Sequence, residues 1–229
     1  MVWRGPNISI FLVRTDLASP GAAILMSELL PLSVGTGKTM EVSEAINQRR
    51  AKRMFDPRPI EAEKVIALVE AMRLAPSCNN NQPWRVTVCR EPESLAKAKS
   101  ALSKGNVYAT KAPLIFVIAS KLEDDCHGLS DGRDYYLFGC GLAVGQMLLR
   151  ATELGLIAHP VAGYDPLLLK KELGIPEDQV VIAMVNIAYH GTDDALLSDT
   201  QKAKESVRPE RKPVGENFFE GKWGVPFKA

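Results

Sequence analysis

The sequence predicts one folded domain of the α+β class, with helices and strands following one another along most of the chain. The chain has 229 residues, of which 46% are hydrophobic, and this is enough to bury a core of its own. Residues 62–73 repeat apolar side chains at helical spacing. Residues 114–119 and 180–188 are apolar runs of strand length.

From Val42 onwards the pattern predicts helix, helix, strand, helix, strand, helix, helix, strand and a tail. Residues 84–89 alternate apolar and polar side chains, as a half-buried strand does. Residues 135–156 form the longest helical segment and are apolar on most faces, which is typical of a buried helix. Arg150 and Glu153 interrupt this segment, so it does not predict a membrane span.

Charge and cysteine usage exclude several classes of partner. The net charge is +1, so no overall field favours nucleic acid or an anionic membrane. The four cysteines, Cys78, Cys89, Cys126 and Cys140, have no CxxC spacing. We therefore expect reduced thiols in a cytoplasmic protein, without a disulfide framework or a metal site.

Residues 1–39 differ from the rest in mixing short apolar pieces with Pro, Gly and Ser, without sustained periodicity. They fit a signal peptide poorly, because charged residues follow the first apolar piece and no clear cleavage site follows the second. We predict a weakly ordered extension over 1–39, a domain over 40–229, and a functional start at Met40.

The segment 49–53 places four cations in five residues. If a helix continues through it, Arg49 and Arg53 share a face. Arginine binds phosphate oxygens with two parallel donors. On charge alone, a solvated basic face or a nucleic-acid patch remains the alternative.

A second polar segment, residues 76–82, lies one helix further on. Pro76 ends the preceding helix, and Ser77 with the three asparagines at 79–81 favours turns and offers donors and acceptors. An ordinary loop between a helix and a strand is the alternative.

These two segments resemble the FMN-dependent nitroreductase family, over about residues 40–227. That family has an arginine-rich box ending in Phe, matched here by Arg49, Arg50, Arg53 and Phe55, and an A-P-S-S-x-N-x-Q-P-W motif, matched by Ala75, Pro76, Ser77, Asn80, Gln82, Pro83 and Trp84. Cys78 and Ala51 stand where the family usually has Ser. The resemblance implies a nitroreductase-like α+β fold: a mixed, mainly antiparallel sheet flanked by helices in an intertwined homodimer, with a C-terminal tail wrapping the partner.

The resemblance also implies an FMN site that two subunits share. It assigns Arg49 to the phosphate, Arg53 to the N1/O2 edge of the flavin, and the 76–82 loop to the partner's flavin. A backbone N–H of Ala162 or Gly163 would reach flavin N5, and Arg211, or otherwise Arg208, would add to the phosphate site. The expected cofactor-binding residues are Arg49, Arg50, Ala51, Arg53, Pro76, Ser77, Cys78, Asn80, Gln82, Val161, Ala162, Gly163 and Arg211.

The activity implied is hydride transfer from NADH or NADPH, through FMN, to nitroaromatics, quinones or similar small acceptors, without an identified catalytic side chain. Other chemistry of the superfamily stays open: reductive dehalogenation and conversion of flavin to a benzimidazole. A flavin carrier or sensor without turnover is another alternative. Ser130 lies in a G-x-S-x-G pattern, and with Asp165 and His190 it follows the chain order of a serine hydrolase.

Overall fold

The computed structural model describes residues 40–228, so the extension predicted over 1–39 lies outside the described residues. The strands are β1 (Phe55–Asp56), β2 (Arg85–Cys89), β3 (Leu114–Ser120), β4 (Leu156–Val161) and β5 (Val180–His190). The helices are α1 (Val42–Gln48), α2 (Ala62–Arg73), α3 (Pro92–Ser100), α4 (Tyr136–Glu153), α5 (Pro166–Leu173), α6 (Asp199–Ser206) and α7 (Val214–Asn217). Short 3-10 turns cover Cys78–Asn80, Lys104–Lys111 and Leu122–Asp124.

The five strands form one sheet organised around β5. This strand pairs with β1, β3 and β4, and β2 pairs with β3. Within residues 40–228 every one of these pairings is antiparallel. The predicted α+β class and antiparallel character are therefore confirmed.

Strand β3 is the centre of the core because it is buried along its whole length. Successive side chains of a strand point to opposite faces, and here each face meets its own group of helices. Leu114, Phe116 and Ile118 pack with α2 and α4. Ile115 and Val117, on the opposite face, pack with α3 and α5. The apolar run at 114–119 thus marked a strand covered by helices on both faces.

Helix ends follow local capping chemistry. The Asp165 carboxylate accepts hydrogen bonds from the backbone N–H groups of Leu167 and Leu168, both at 3.0 Å, which fixes the start of α5. Gly174 ends the same helix with φ of +67°, a conformation that glycine adopts without steric cost. Ser198 and Gln201 form a reciprocal capping box at the start of α6.

The predicted order of elements missed a strand: it let the helix at 135–156 be followed directly by another helix, but residues 156–161 form β4, paired with β5. The condition for a shared face of the arginines is not met, because α1 ends at Gln48 and Arg49 has a non-helical ψ of 122°. Arg49 and Arg53 therefore do not share a helical face.

Part of the apolar surface is exposed among residues 40–228. Ile66 and Val69 on α2, and Leu137 and Phe138 on α4, are all more than 40% exposed, and the two helices pack against each other. In the tail Trp223 is 87% exposed. Within the described range, no helix is long and apolar enough to cross a membrane.

Candidate functional site

A cationic pocket of about 150 Å³ lies between the segment following α1 and the segment following α6. Among the described residues that line it there is no carboxylate to balance the positive charge; the lining residues are Arg49, Arg50, Ala51, Arg53, Lys204, Val207, Arg208, Pro209 and Arg211. The structure thus brings together the predicted arginine box and both predicted tail arginines. The volume suits a phosphate-sized group and is well below that of a drug-sized ligand site, which is roughly 300–1,000 Å³.

The walls of this pocket are tied together by arginine side chains that bind backbone carbonyls. The Arg50 guanidinium donates to the carbonyls of Glu205 at 2.9 Å and Ser206 at 3.1 Å, at the end of α6. A cation there complements the negative end of the helix dipole. The Arg208 guanidinium donates to the carbonyls of Asn47 at 2.5 Å and Arg49 at 2.8 Å. Arg50 and Arg208 are thus engaged in holding the two segments together.

The electrostatics of the pocket favour an anion. Burial lowers the pKa of Arg49, and the positive charges of Arg208 and Arg211 lower it further. Like charges gathered at one place raise the free energy of the charged state. A phosphate dianion would relieve this repulsion with charge-assisted hydrogen bonds, so the residues present fit a phosphate group.

Behind the pocket lies a buried aromatic pair that sequence analysis missed. Tyr108 is 2% exposed and stacks on His159 with ring centroids 5.7 Å apart, and the Arg53 guanidinium lies 5.8 Å from the Tyr108 ring. The pKa of His159 is lowered to about 4, mainly by burial and secondly by the positive charge of Arg53. The imidazole is therefore neutral at pH 7, and its Nδ1 lies 3.2 Å from the Lys52 carbonyl oxygen, which it can only approach as a donor.

Tyr108 also connects the pocket to the segment after β4. Its hydroxyl donates to Asn106 Oδ1 at 3.0 Å, and the Asn106 amide donates to the Gly163 carbonyl at 2.9 Å. A Cβ on Gly163 would lie 2.5 Å from Asn106 Nδ2, so glycine permits this close approach. Val161 is buried in the core and Ala162 is exposed. The N–H groups at 162–163 are thus held near the arginine pocket through Arg53, Tyr108 and Asn106.

The 76–82 loop is an ordered turn rather than an open polar loop. Ser77 Oγ accepts a hydrogen bond from the Gln82 N–H at 2.9 Å. Asn79, Asn80 and Gln82 have φ values of 50°, 60° and 50°, in the left-handed region that non-glycine residues rarely adopt. With Tyr135, Phe138, Gly139 and Leu142, residues 76–78 line a second cavity of about 270 Å³.

One expectation about this loop was wrong: Cys78 is not a free thiol but forms a disulfide with Cys126. Cys89 and Cys140 are buried free thiols, as expected. The two bonded sulfurs and the Asp125 carboxylate lie within 4.8 Å of one another, but sulfur binds metals as a thiolate. The spacing of cysteines could not show this pairing, because 48 residues separate the partners in sequence.

The predicted site residues therefore fall into two groups on one chain. The arginine box and the tail arginines line one pocket, and Tyr108 and Asn106 connect Arg53 of that pocket to Gly163. Residues 76–78 line a different cavity with α4. These two cavities share no lining residue.

The serine hydrolase arrangement is not assembled. Ser130 lies in an exposed turn that does not follow a strand directly, Asp165 caps α5, and His190 Nε2 lies 3.2 Å from Glu205 Oε1.

Comparison with known proteins agrees with this fold. A predicted NADH dehydrogenase/NAD(P)H nitroreductase of Archaeoglobus fulgidus is 30% identical over 177 residues, covering 75% of this chain and 95% of that protein. An iodotyrosine deiodinase of Haliscomenobacter hydrossis is 24% identical over 196 residues, covering 74% of this chain and 88% of that protein. A crystal structure described as an oxidoreductase containing FMN superposes with a TM-score of 0.69 at 26% identity, covering 79% of this chain and 92% of the other.

The sequence pattern of the nitroreductase family matches residues 46–110 and 104–189. These ranges include the arginine box, the 76–82 loop, Tyr108 and the segment at 161–163. This chain therefore belongs to the nitroreductase family.

Proposed function

We propose that this chain is an FMN-dependent oxidoreductase that takes electrons from NADH or NADPH and passes them to a small organic acceptor. The observation that carries the proposal is the cationic pocket, in which Arg49, Arg53 and Arg211 converge with no carboxylate among its described lining residues. Arg49 and Arg211 would hold the FMN phosphate, and Arg53 would lie towards the flavin. Relatives named as nitroreductases, and a similar structure that contains FMN, support this assignment.

FMN would supply the two-electron chemistry when bound, by accepting hydride from the nicotinamide and returning it to the acceptor. The residues of this chain bind and orient the cofactor. The positive charge of Arg53 would favour an anionic group at its edge of the site. The backbone N–H groups at 162–163 would act as donors whose position is fixed by the Asn106–Gly163 hydrogen bond. His159 is neutral at pH 7, so it adds no second charge there.

We further propose that the complete site needs two copies of the chain. The 76–82 loop and the arginine pocket lie at separate cavities of one copy, and the phosphate-sized pocket is too small to enclose FMN alone. Among the exposed apolar side chains of α2 and α4, Phe138 lies next to the loop, since it lines the loop's cavity. A homodimer that buries them would bring the loop of one copy to the arginines of the other. The exposed aromatic tail would wrap the partner, as the resemblance implies.

Nitroaromatics and quinones are the acceptors that we propose first. Reductive deiodination is the second candidate, and the deiodinase relative is the observation that favours it. Both activities would use the same bound FMN, so they differ only in the acceptor. We propose the cytoplasm as the location. The expectation that all four cysteines are reduced no longer supports it, because Cys78 and Cys126 form a disulfide.

An absorbance spectrum of the purified full-length chain, followed by anaerobic titration with NADH and with NADPH, tests the proposal. We expect flavin bands that bleach on titration and return when a quinone or a nitroaromatic is added. If the flavin bands returned only when iodotyrosine was added, the result would favour the deiodinase reaction. Bleaching without return for any acceptor would indicate a flavin carrier. A protein that remains colourless after incubation with FMN would contradict the proposal.

A further inference from the structure

We propose that Cys78 and Cys126 form a reversible dithiol–disulfide site that controls how tightly the chain retains FMN. This inference rests on the proposed function, because it concerns the regulation of the same cofactor site. The bond joins the 76–82 loop to the segment that follows β3. Both cysteines are half-buried, so a small dithiol can reach the bond, whereas Cys89 and Cys140 are buried.

The disulfide holds a loop that has an unfavourable backbone conformation. Asn79, Asn80 and Gln82 all have positive φ, and such conformations persist only where the surroundings impose them. Several hydrogen bonds also act on this loop, among them the Ser77–Gln82 bond at 2.9 Å, a bond from the Asn81 amide to a carboxylate oxygen of Asp125 at 3.3 Å, and a bond from the Arg85 guanidinium to the Gln82 carbonyl at 3.0 Å. The disulfide is the covalent tie, and reduction leaves only noncovalent contacts to hold the loop.

The residues around the bond favour its cleavage by a thiolate. The side-chain amides of Asn79 and Asn81 lie 3.6 Å and 3.9 Å from Cys126 Sγ. These donors stabilise negative charge on that sulfur, which makes Cys126 the better leaving group. The buried Asp125 carboxylate nearby accepts hydrogen bonds through Oδ1 only, from the Cys126 N–H at 2.8 Å and from the Asn81 amide at 3.3 Å, and its Oδ2 has no hydrogen-bond partner among the described residues.

The reductant is a dithiol, either a small molecule or a thioredoxin-class protein. One of its thiolates attacks Cys78 Sγ, the S–S bond breaks, and Cys126 leaves as a thiolate that takes up a proton. The second thiol of the donor then attacks the mixed disulfide and releases Cys78 as a thiol. Two electrons and two protons pass from the donor to the protein, and the donor becomes a disulfide.

Retention of FMN is expected to fall on reduction. The loop carries Asn80 and Gln82, which we assign to the flavin site, and the oxidised form presents them already ordered. A ligand that must order its own binding loop binds more weakly, and we expect a loss on the order of tenfold in affinity. Disulfides in reducing compartments are usually transient and redox-sensing or catalytic, which agrees with a reversible role.

The test compares the oxidised and reduced full-length chain. The protein is reduced with dithiothreitol in the presence of EDTA, and the reductant is removed under nitrogen. Quenching of FMN fluorescence then gives the dissociation constant for both forms, and thiols are counted in denaturant. We expect two free thiols and tight binding before reduction, and four thiols and weaker binding after it. Cys126→Ser should bind FMN as weakly as the reduced chain and be insensitive to dithiothreitol.

Each other result is decisive. Four thiols in protein purified in air would show that the bond does not form, and equal affinity of the two forms would show that it does not control retention; both overturn this inference and leave the proposed function intact. Tighter binding after reduction would overturn the inference as well. FMN binding in neither form would instead overturn the proposed function.

Discussion

The carboxylate of Glu205 accepts hydrogen bonds from the backbone N–H of Arg53, with both oxygens 3.0 Å from the nitrogen. Glu205 lies on α6 and is only 6% exposed, and it also accepts from the Met54 N–H at 3.2 Å. These bonds fix the arginine-rich segment against α6 after α1 has ended. The position of the Arg53 side chain in the pocket therefore depends on a residue 152 positions further along the chain.

Replacing Glu205 tests this support. Glu205→Ala leaves two partly buried backbone donors without their acceptor, so we expect the free energy of unfolding to fall by roughly 1–3 kcal/mol and FMN binding to weaken. Glu205→Gln keeps one acceptor oxygen, so its free energy of unfolding should lie between that of Glu205→Ala and that of the unaltered chain. Urea denaturation measures the change, and Glu63→Gln on the exposed face of α2 is the matched control. Equal stability of Glu205→Ala and the unaltered chain would refute the structural role.

The phosphate assignment is tested by comparing FMN with riboflavin, which lacks the phosphate. Each lost charge-assisted hydrogen bond removes roughly 1.5–3 kcal/mol, so Arg49→Ala with Arg211→Ala should weaken FMN binding by about a hundredfold or more. Riboflavin binding should barely change. Arg133→Ala, which removes an exposed arginine paired with Asp131, is the control. If affinity for both ligands fell equally, the two arginines would not hold the phosphate.

His159 predicts a pH dependence of stability. Its pKa is about 4 in the folded chain, against an ordinary value of 6.5, so between these pH values the unfolded chain binds a proton at His159 and the folded chain does not. Stability is therefore lost as pH falls from about 6.5 towards 4, by at most about 1.4 kcal/mol per pH unit. Urea denaturation at pH 7 and pH 5 should show a smaller difference for His159→Gln than for His127→Gln. If both variants lost the same stability between pH 7 and pH 5, the lowered pKa of His159 would be contradicted.

The close packing around Gly163 leaves no room for a larger side chain in the segment that we place near the flavin. A Cβ there would meet Asn106 Nδ2 at 2.5 Å and Ser103 Oγ at 2.6 Å, so Gly163→Ala must displace the side chain that holds the Gly163 carbonyl. Such overpacking costs roughly 1–3 kcal/mol, and we expect FMN affinity to fall. Gly105→Ala, one position from Asn106 and with open space around it, should have little effect. Fluorescence titration measures both, and unchanged affinity in Gly163→Ala would contradict the role of this contact.

Much of the fold could be predicted from local patterns. The apolar run at 114–119 and the helical spacing at 62–73 report burial directly, and both elements were placed to within a residue. β4 was missed because Pro160 lies inside it and proline is unusual in a strand. α6 is polar on most positions, so it carries little apolar periodicity, although the capping box of Ser198 and Gln201 would have marked its start.

The site could be predicted only where a motif is local. The arginine box and the 76–82 loop were recognisable because each occupies a few consecutive residues. Glu205 and Tyr108 contribute through contacts across the fold, and their neighbours in sequence do not reveal them. The Cys78–Cys126 pair is of the same kind, since only the folded chain brings the two loops together.

A complementation experiment tests the shared site most directly. One copy carries Arg49→Ala with Arg211→Ala, the other carries Asn80→Ala with Gln82→Ala, and differently tagged copies are co-expressed and purified as the mixed dimer. If each site takes its arginines from one copy and its loop from the other, one of the two sites is intact, and bound FMN should return to about half of the unaltered dimer's content, while each parent alone binds little. A mixed dimer that binds no more FMN than its parents would contradict the shared site.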